Sequence, residues 1–346
     1  MNIKSKPKRK WYNPTKLLSY NKMVNFVMSH RGGGKTYSSK RLAIKRYLEK
    51  GEEFVYLRRY KTELKGDNLK KWFDDISQEF PNVEFTVKGN NFIINGKTAG
   101  YALALSQQVQ IRSTPFPNVT LVIFDEFILD DRGTNLKYLN NEVKTFLEVI
   151  STIVRSRDNV RILCCANSIS YVNPYFDYWK IRIDPTDKKE FYFSPITDQV
   201  IVQLFDSEVF TEEMVETRFG KLIQGTAYGE YAINNEVLLD NQEFLMKTKP
   251  EDSNFIFAIK YDGETYGVWY SQEWSLYHIN QQYNPKSKNI FAITNEDQTY
   301  EMTTLKSLKK SQFFITMRMY YDKGLIFYST QEIKKCMFNI FKILGL

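Results

Sequence analysis

A chain of 346 residues can hold two domains and a short connecting element. Hydrophobic residues make up 42% of it and charged residues 25%, a composition typical of globular proteins that excludes a wholly disordered chain. The formal charge of +8, from 48 lysines and arginines against 40 aspartates and glutamates, favours an anionic partner such as nucleic acid.

The chain begins with a basic run, residues 1–10, which no apolar stretch of signal-peptide type follows. No segment approaches the roughly 18 consecutive apolar residues that a membrane span needs. The three cysteines are too few for a disulfide framework, and two of them, Cys164 and Cys165, lie inside an apolar run. We therefore expect a soluble, intracellular protein that does not bind a membrane.

Predicted strands alternate with predicted helices over residues 1–206. Apolar runs predict strands at 23–28, 53–58, 119–124 and 160–166, with a hairpin formed by 84–88 and 91–95. Helical patterns cover 37–50, 69–80 and 141–155. Because such alternation is typical of βαβ units, we expect a mostly parallel α/β sheet in this domain.

The rest of the chain has a different pattern. Residues 207–236 are rich in charge and glycine, and we interpret them as a linker with short helices. Within 237–346, short aromatic strands at 254–260, 265–270, 275–279 and 290–294 precede a helix, a strand and a basic helix at 303–321, 325–328 and 331–344. This order predicts an RNase H-like domain.

Residues 29–36 match the phosphate-binding loop pattern G-x-x-x-x-G-K-[ST] except at its first position. They read Ser29, His30, Arg31, Gly32, Gly33, Gly34, Lys35 and Thr36. Glycines let backbone N–H groups turn towards a triphosphate, Lys35 would neutralise phosphate charge, and the Thr36 hydroxyl would bind Mg²⁺. A glycine-rich turn is the alternative, but the predicted strand before it and helix after it are the context that a nucleoside triphosphate site requires. We interpret His30 as a solvent-facing spacer.

A second motif follows the predicted strand at 119–124. Asp125 stands where a Walker B aspartate holds Mg²⁺, and Glu126 beside it is the residue type that polarises an attacking water. Two solvated acids at a strand end are the alternative. Together with the loop, the pair predicts an enzyme that hydrolyses a nucleotide with Mg²⁺.

Other polar residues are ambiguous from their residue types alone. Asn167 follows a buried strand, where it could sense the γ-phosphate or simply begin a turn. Arg155 and Arg157 end a predicted helix, where an arginine can reach the nucleotide of a neighbouring subunit or lie in solvent. Arg112 and the segment that contains Arg58 and Lys61 are equally open.

The sequence also resembles the DNA-packaging (encapsidation) ATPases of phi29-like podophages. The resemblance covers most of the chain and lies partly outside the nucleotide motifs, in the strings Tyr12-Asn13-Pro14, Tyr56-Leu57-Arg58-Arg59-Tyr60-Lys61, Phe116-Pro117-Asn118-Val119, Val172-Asn173-Pro174-Tyr175-Phe176 and Tyr266-Gly267-Val268-Trp269. It implies an additional-strand, conserved-glutamate (ASCE) P-loop ATPase domain at 1–206, a linker at 207–236 and an RNase H-like, vestigial nuclease domain at 237–346.

The resemblance further implies a motor that moves double-stranded DNA into a procapsid. The motor would be a homo-oligomeric ring, a pentamer, docked on the portal in the host cytoplasm and absent from the mature virion. A structural packaging RNA and a DNA-linked terminal protein are further candidate partners. By motif position, the resemblance implies that Arg155 is a trans-acting arginine finger, with Arg157 as the second candidate. It also implies that Arg112 reaches across the subunit interface and that Arg58 and Lys61 belong to a lid near the nucleotide. Asn167 corresponds to the polar residue at the end of a strand.

For the C-terminal domain the resemblance implies no nuclease activity. Metal-dependent cutting needs several carboxylates that converge on two Mg²⁺ ions. The first strand ends at Asp262, but the neighbouring strands carry tyrosine, tryptophan and isoleucine at their centres. The alternatives are a large terminase with an active nuclease, another P-loop helicase or translocase, and a phage assembly protein that uses nucleotide only as a switch.

Overall fold

The computed structural model describes residues 11–130, 137–183, 189–234, 243–300 and 302–345. The basic run at 1–10 and the acid Glu301 lie outside the described residues. The chain divides into two compact units, Met1–Leu239 and Asp240–Leu346. Within the described ranges no helix is long and apolar enough to cross a membrane.

The first unit is built on one sheet. Its described strands are β1 (Val24–Ser29), β2 (Glu53–Arg58), β3 (Phe85–Lys88), β4 (Asn91–Ile94), β5 (Lys97–Ala104), β6 (Val119–Asp125), β7 (Arg161–Asn167), β8 (Phe191–Phe193) and β9 (Val200–Leu204). They lie in the order β3-β4-β5-β2-β6-β7-β1-β9-β8, and the six from β5 to β9 pair in parallel. Strand β7 is inserted between β1, which leads into the phosphate loop, and β6, which ends in the Walker B motif. This insertion confirms the predicted ASCE architecture.

Helices cover both faces of this sheet. They are α1 (Thr15–Leu18), α2 (Lys35–Lys50), α3 (Asp67–Lys70), α4 (Gln108–Ile111), α5 (Glu142–Val154), α6 (Pro174–Tyr178), α7 (Glu208–Glu216), α8 (Arg218–Ile223) and α9 (Ala227–Asn234). Because side chains alternate along a strand, Phe26 of β1 faces the core that contains α5, whereas Val27 faces the core that contains α2. Strand β1 is buried along its whole length, as a central parallel strand should be.

The continuous helix predicted at 69–80 is wrong. The structure has α3 followed by 3-10 turns at Lys71–Phe73 and Ser77–Glu79. The Ile76 N–H, which an α-helix would pair with the Trp72 carbonyl oxygen, donates to Phe73 at 3.0 Å, and the Trp72 oxygen accepts from Lys40 Nζ at 2.8 Å. The Trp72 ring instead stacks on Phe54, with ring centroids 5.3 Å apart.

The segment 207–236 contains the short helices α7, α8 and α9, and it is grouped with the first unit. Its role as a linker, and the domain boundaries at 206 and 236, stay predictions. Strands β5, β8 and β9 and helices α4 and α6 were not predicted.

The second unit has a mixed sheet of its own. Its described strands are β10 (Asn254–Tyr261), β11 (Glu264–Ser271), β12 (Leu276–Asn280), β13 (Ile290–Ala292), β14 (Thr303–Thr304) and β15 (Ile326–Tyr328), in the order β14-β13-β10-β11-β12-β15. Strands β10, β11 and β12 are antiparallel, and β13 returns parallel to β10. This is the order of an RNase H-like core.

Helices α10 (Leu305–Lys310), α11 (Gln312–Asp322) and α12 (Gln331–Leu344) complete this unit. The single helix predicted at 303–321 is therefore wrong. It is divided because the Ser311 hydroxyl caps the first turn of α11, where it accepts from the Phe314 N–H at 3.3 Å. The predicted final helix at 331–344 has the bounds of α12.

Candidate active site

The phosphate loop lies between the end of β1 and the start of α2. Gly32 and Gly34 have φ angles of +83° and +85°, in the left-handed region that favours glycine. A Cβ atom at Gly34 would lie 2.9 Å from Cε3 of Trp11, closer than side-chain contacts allow. The loop can therefore bring its backbone close to a ligand only because these positions carry no side chain.

Lys35 is buried inside the loop. Its Nζ donates to the carbonyl oxygens of Ser29 at 3.2 Å and His30 at 3.0 Å, to Ser29 Oγ at 2.7 Å and to Asn167 Oδ1 at 3.2 Å. Burial lowers the pKa of Lys35 to about 8, and the carboxylate of Asp125 partly opposes that shift. Ser29, the departure from the loop consensus, is thus a direct partner of the lysine.

Thr36 and Asp125, the predicted Mg²⁺ ligands, lie side by side. Thr36 Oγ1 donates to Asp125 Oδ1 at 3.1 Å, and the buried Tyr56 hydroxyl donates to Asp125 Oδ2 at 3.0 Å. A hydroxyl and a carboxylate side by side are the oxygen ligands that Mg²⁺ takes beside substrate phosphates. Tyr56 was not predicted as part of the site.

Glu126 follows directly, with φ of +60°. Its side chain is 60% exposed, and its Oε2 accepts from Arg58 Nη2 at 2.6 Å. Arg58 also donates to Glu63 Oε1 at 2.6 Å, and its Nη1 lies 3.6 Å from Asp125 Oδ2. Arg58 therefore contacts both acids of the Walker B motif.

Asn167 ends the inserted strand β7 beside the loop. It is opposite Ser29 in the parallel register of β1 and β7, and the Ser168 N–H donates to the Ser29 carbonyl oxygen at 3.0 Å. The carboxyl ends of these parallel strands thus bring most predicted site residues together: Ser29, Lys35, Thr36, Arg58, Asp125, Glu126 and Asn167.

The arginines predicted to act between subunits lie elsewhere. Arg155 precedes β7, whose seven residues separate it from Asn167 by roughly 20 Å at about 3.3 Å per residue. Its side chain is exposed, its φ is +50°, and within the described residues its guanidinium has no hydrogen bond or ion pair. The side chain cannot reach the nucleotide site of its own subunit.

Arg157 differs from Arg155 in its contacts. Its guanidinium donates to four backbone carbonyl oxygens at 2.6–2.9 Å, those of Phe116, Pro117, Val119 and Ile153. Arg157 therefore joins the end of α5 to the start of β6.

In the described part of the chain, the other two candidates form no hydrogen bond or ion pair with these site residues. Arg112 forms an ion pair with Glu148 of α5. Lys61 has an exposed side chain, and its backbone N–H donates to Ser106 Oγ at 3.1 Å.

The interpretation of His30 as a solvent-facing spacer is wrong. The imidazole is buried and stacks on Phe210 of α7 with ring centroids 4.7 Å apart. Phe210 also covers Gly32, because a Cβ there would lie 3.3 Å from its Cζ. Phe210 is about 180 residues from the loop in the chain, so no local sequence signal could have identified this contact.

A buried ion pair behind the site was also missed. Arg59 Nε donates to both carboxylate oxygens of Glu142, at 3.0 and 2.9 Å. The position of Arg59 next to the candidate Arg58 could have pointed to Arg59. Its partner Glu142 is 83 residues away in the chain, so the sequence could not pair the two.

Three comparisons with known proteins agree with this geometry. The family described as "Podovirus DNA encapsidation protein (Gp16)" matches residues 6–345. The DNA packaging protein of Bacillus phage phi29 is 37% identical over 332 residues, which cover 96% of this chain and 97% of that protein. Among solved structures, the bacteriophage phi29 viral genome packaging motor assembly superposes with a TM-score of 0.77 at 37% identity, over 96% of this chain and 99% of that chain.

The N-terminal domain of the phi29 DNA packaging ATPase is a second solved structure with a similar fold. It is 41% identical, with a TM-score of 0.51 over 57% of this chain and 97% of that chain. The family match over residues 6–345 and the 37% identity over nearly the full length show that this chain belongs to the podovirus DNA encapsidation protein (Gp16) family.

Proposed function

We propose that this chain is the ATP-hydrolysing subunit of a ring, a pentamer, that moves double-stranded DNA through the portal of a procapsid. The observation that carries the proposal is the convergence of Lys35, Thr36, Asp125, Glu126 and Asn167 at one edge of the sheet. In the same proposal, the motor acts in the host cytoplasm, docks transiently on the procapsid and is absent from the mature virion. A packaging RNA and a DNA-linked terminal protein are its further proposed partners.

The residues have separate tasks in hydrolysis. Lys35, now bonded to loop carbonyl oxygens, would exchange those contacts for the β- and γ-phosphate oxygens of ATP. Thr36 and Asp125 would hold Mg²⁺, which neutralises charge on the phosphates when bound. Glu126 would orient the attacking water, and to do so its carboxylate must separate from Arg58.

Two features of the lone Arg155 favour a role at the neighbouring subunit's nucleotide. Its guanidinium is exposed, and its distance from its own phosphate loop excludes action within one subunit. Arg157 is the weaker candidate because its guanidinium is already bonded to four carbonyl oxygens. Arg112 would have to leave Glu148 before it could cross an interface.

The proposed lack of nuclease activity is supported by the acids of the second unit. Asp297 is buried, and its carboxylate accepts the N–H groups of Asp262 and Gly263 at 2.8 Å each. It therefore stabilises the turn between β10 and β11.

The test is a comparison of ATP binding and ATP hydrolysis in purified full-length variants, with double-stranded DNA present. Glu126→Gln should bind ATP like the wild type in a filter assay but lose hydrolysis, because the amide keeps the size of the side chain and removes the base. Lys35→Ala should lose binding. Wild-type turnover by either variant would contradict the assigned site, and lost ATP affinity in Glu126→Gln would instead make Glu126 a metal ligand.

The trans-acting role of Arg155 has its own experiment. Rings mixed from Arg155→Ala and Lys35→Ala subunits should regain hydrolysis, because an intact site and an intact arginine then meet at some interfaces. Absence of recovery at every mixing ratio, with assembly verified, would contradict the assignment. Rings mixed from Arg157→Ala and Lys35→Ala subunits are the control for the choice of arginine.

A further inference from the structure

The peptide that carries Glu126 is fixed on all sides by hydrogen bonds. The N–H groups of Glu126 and Phe127 both donate to the carbonyl oxygen of Cys165, at 2.8 and 3.2 Å. Their own carbonyl oxygens accept from Arg59, at 3.2 Å from Nη1 and 2.6 Å from Nη2. A non-glycine residue with φ of +60° is strained by about 1 kcal/mol and persists only where its surroundings determine it. Cys165 and Arg59 supply those surroundings.

Arg59 is itself held by Glu142, the first residue of α5. Arg59 is 2% exposed and Glu142 3% exposed. Besides the two bonds from Arg59 Nε, the carboxylate accepts from the Tyr175 hydroxyl at 2.7 Å and from the Leu139 N–H at 2.8 Å. Removing two charges from water costs several kcal/mol for each ion, so such a pair adds little to stability. What it does is fix the orientation of the guanidinium that contacts Glu126.

Arg58 and Arg59 act on the same residue from opposite sides. Successive side chains at the end of β2 point to opposite faces, so Arg58 contacts the Glu126 carboxylate while Arg59 contacts the Glu126 backbone. The side chain can therefore leave Arg58 and turn towards a water while its peptide stays in place.

We propose that Arg59 and Glu142 are positioning residues for Glu126 and that Tyr175 supports them. The inference rests on the proposed hydrolytic role of Glu126. Because Glu142 begins α5 and Arg155 follows its last residue, the pair also connects the water-activating group of one site to the helix that presents Arg155. That helix is about 20 Å long at 1.5 Å per residue.

The test measures kcat and the dissociation constant of ATP on the full-length protein with DNA present. Glu142→Gln keeps the shape of the side chain but leaves Arg59 without a charged partner, and Arg59→Lys keeps the charge but cannot reach two carbonyl oxygens. We expect kcat to fall about 100-fold in both, the effect of a displaced reacting group, with ATP affinity unchanged. Asp75→Asn is the matched control, since it removes a carboxylate from the buried Lys40 and should leave kcat unchanged.

Tyr175→Phe is a milder variant that keeps the ion pair between Arg59 and Glu142, so it should fold even if Glu142→Gln does not. It removes one hydrogen bond, and we expect a fall in kcat of about fivefold. The proposal is overturned if Glu142→Gln hydrolyses ATP at the wild-type rate, or if its ATP affinity falls together with kcat, as a purely structural pair would require. A lower melting temperature is expected in either case, because the variant leaves the buried Arg59 without a charged partner, so kcat and ATP affinity are measured well below it. Hydrolysis lost in Glu126→Gln but kept in Glu142→Gln overturns only this inference, whereas hydrolysis kept in Glu126→Gln overturns the proposed function itself.

Discussion

The Thr36 hydroxyl and the Asp125 carboxylate are joined by a hydrogen bond of 3.1 Å across 89 residues of sequence. The contact places the two predicted Mg²⁺ ligands side by side. Asp125→Asn keeps the size of the side chain and removes its charge, so we expect the Mg²⁺ concentration for half-maximal hydrolysis to rise more than 10-fold. A magnesium titration of the ATPase rate measures this.

The same magnesium titration on Tyr56→Phe should give a smaller effect than on Asp125→Asn. The Tyr56 hydroxyl contacts Asp125 Oδ2 but would not touch the ion, so its loss should shift the same titration by about 10-fold, less than the loss of the Asp125 charge. A larger shift for Tyr56→Phe than for Asp125→Asn would contradict the assignment of Asp125 as the ligand.

ATP affinity should decrease above about pH 8. Burial lowers the pKa of Lys35 to about 8 in the free protein, and phosphate contacts favour its charged form, so they raise that pKa on binding. Between the two values binding takes up a proton, and the dissociation constant rises with pH. Calorimetry in two buffers of different ionisation enthalpy measures the proton uptake. The pH dependence should be absent in Lys35→Arg, because arginine stays charged; an unchanged slope in that variant would assign the titration to another group.

The elements that the sequence predicts are those with a local signal. Strand β1, the loop and α2 form one continuous pattern, and β6 is an apolar run that ends in two acids. Strand β5 has no such signal, because its Ala99-Gly100 segment is small: a Cβ at Gly100 would lie 2.7 Å from the carbonyl oxygen of Phe54. The missed site residues, such as Glu142 and Phe210, have partners far away in the chain, so only the folded sheet brings them to the site.

Replacing Arg157 by alanine should lower the stability of the fold, whereas replacing Arg155 by alanine should leave stability almost unchanged. Arg157→Ala leaves four backbone carbonyl oxygens without their donor, so we expect a loss of about 2 kcal/mol in the free energy of unfolding. For a unit of this size that lowers the melting temperature by roughly 4–8 °C. Arg155→Ala should change stability by less than about 0.5 kcal/mol, because the guanidinium is exposed. Thermal melts of both variants measure stability, and the mixed-ring assay measures function. A lower melting temperature for Arg155→Ala than for Arg157→Ala would contradict a structural role for Arg157 and a functional role for Arg155.

DNA binding should be insensitive to sequence and should weaken steeply with salt. A motor must release DNA after each step, so its contacts should be mainly to phosphates, and the slope of log affinity against log salt should be about −0.9 for each phosphate neutralised. Exposed lysines of α10 and α12, Lys309, Lys310 and Lys342, are candidates for these contacts, whereas Lys334 is buried and donates to the Glu243 carbonyl oxygen. Replacing Lys309 and Lys310 by alanine should therefore make the slope less steep by up to about two units.

Supercoiled plasmid should stay intact with Mg²⁺ or Mn²⁺, because Asp262 lies in a turn and Asp297 is bonded to that turn's backbone. Nicking that Asp262→Ala removes would instead mean that the second unit cuts DNA, as a large terminase does.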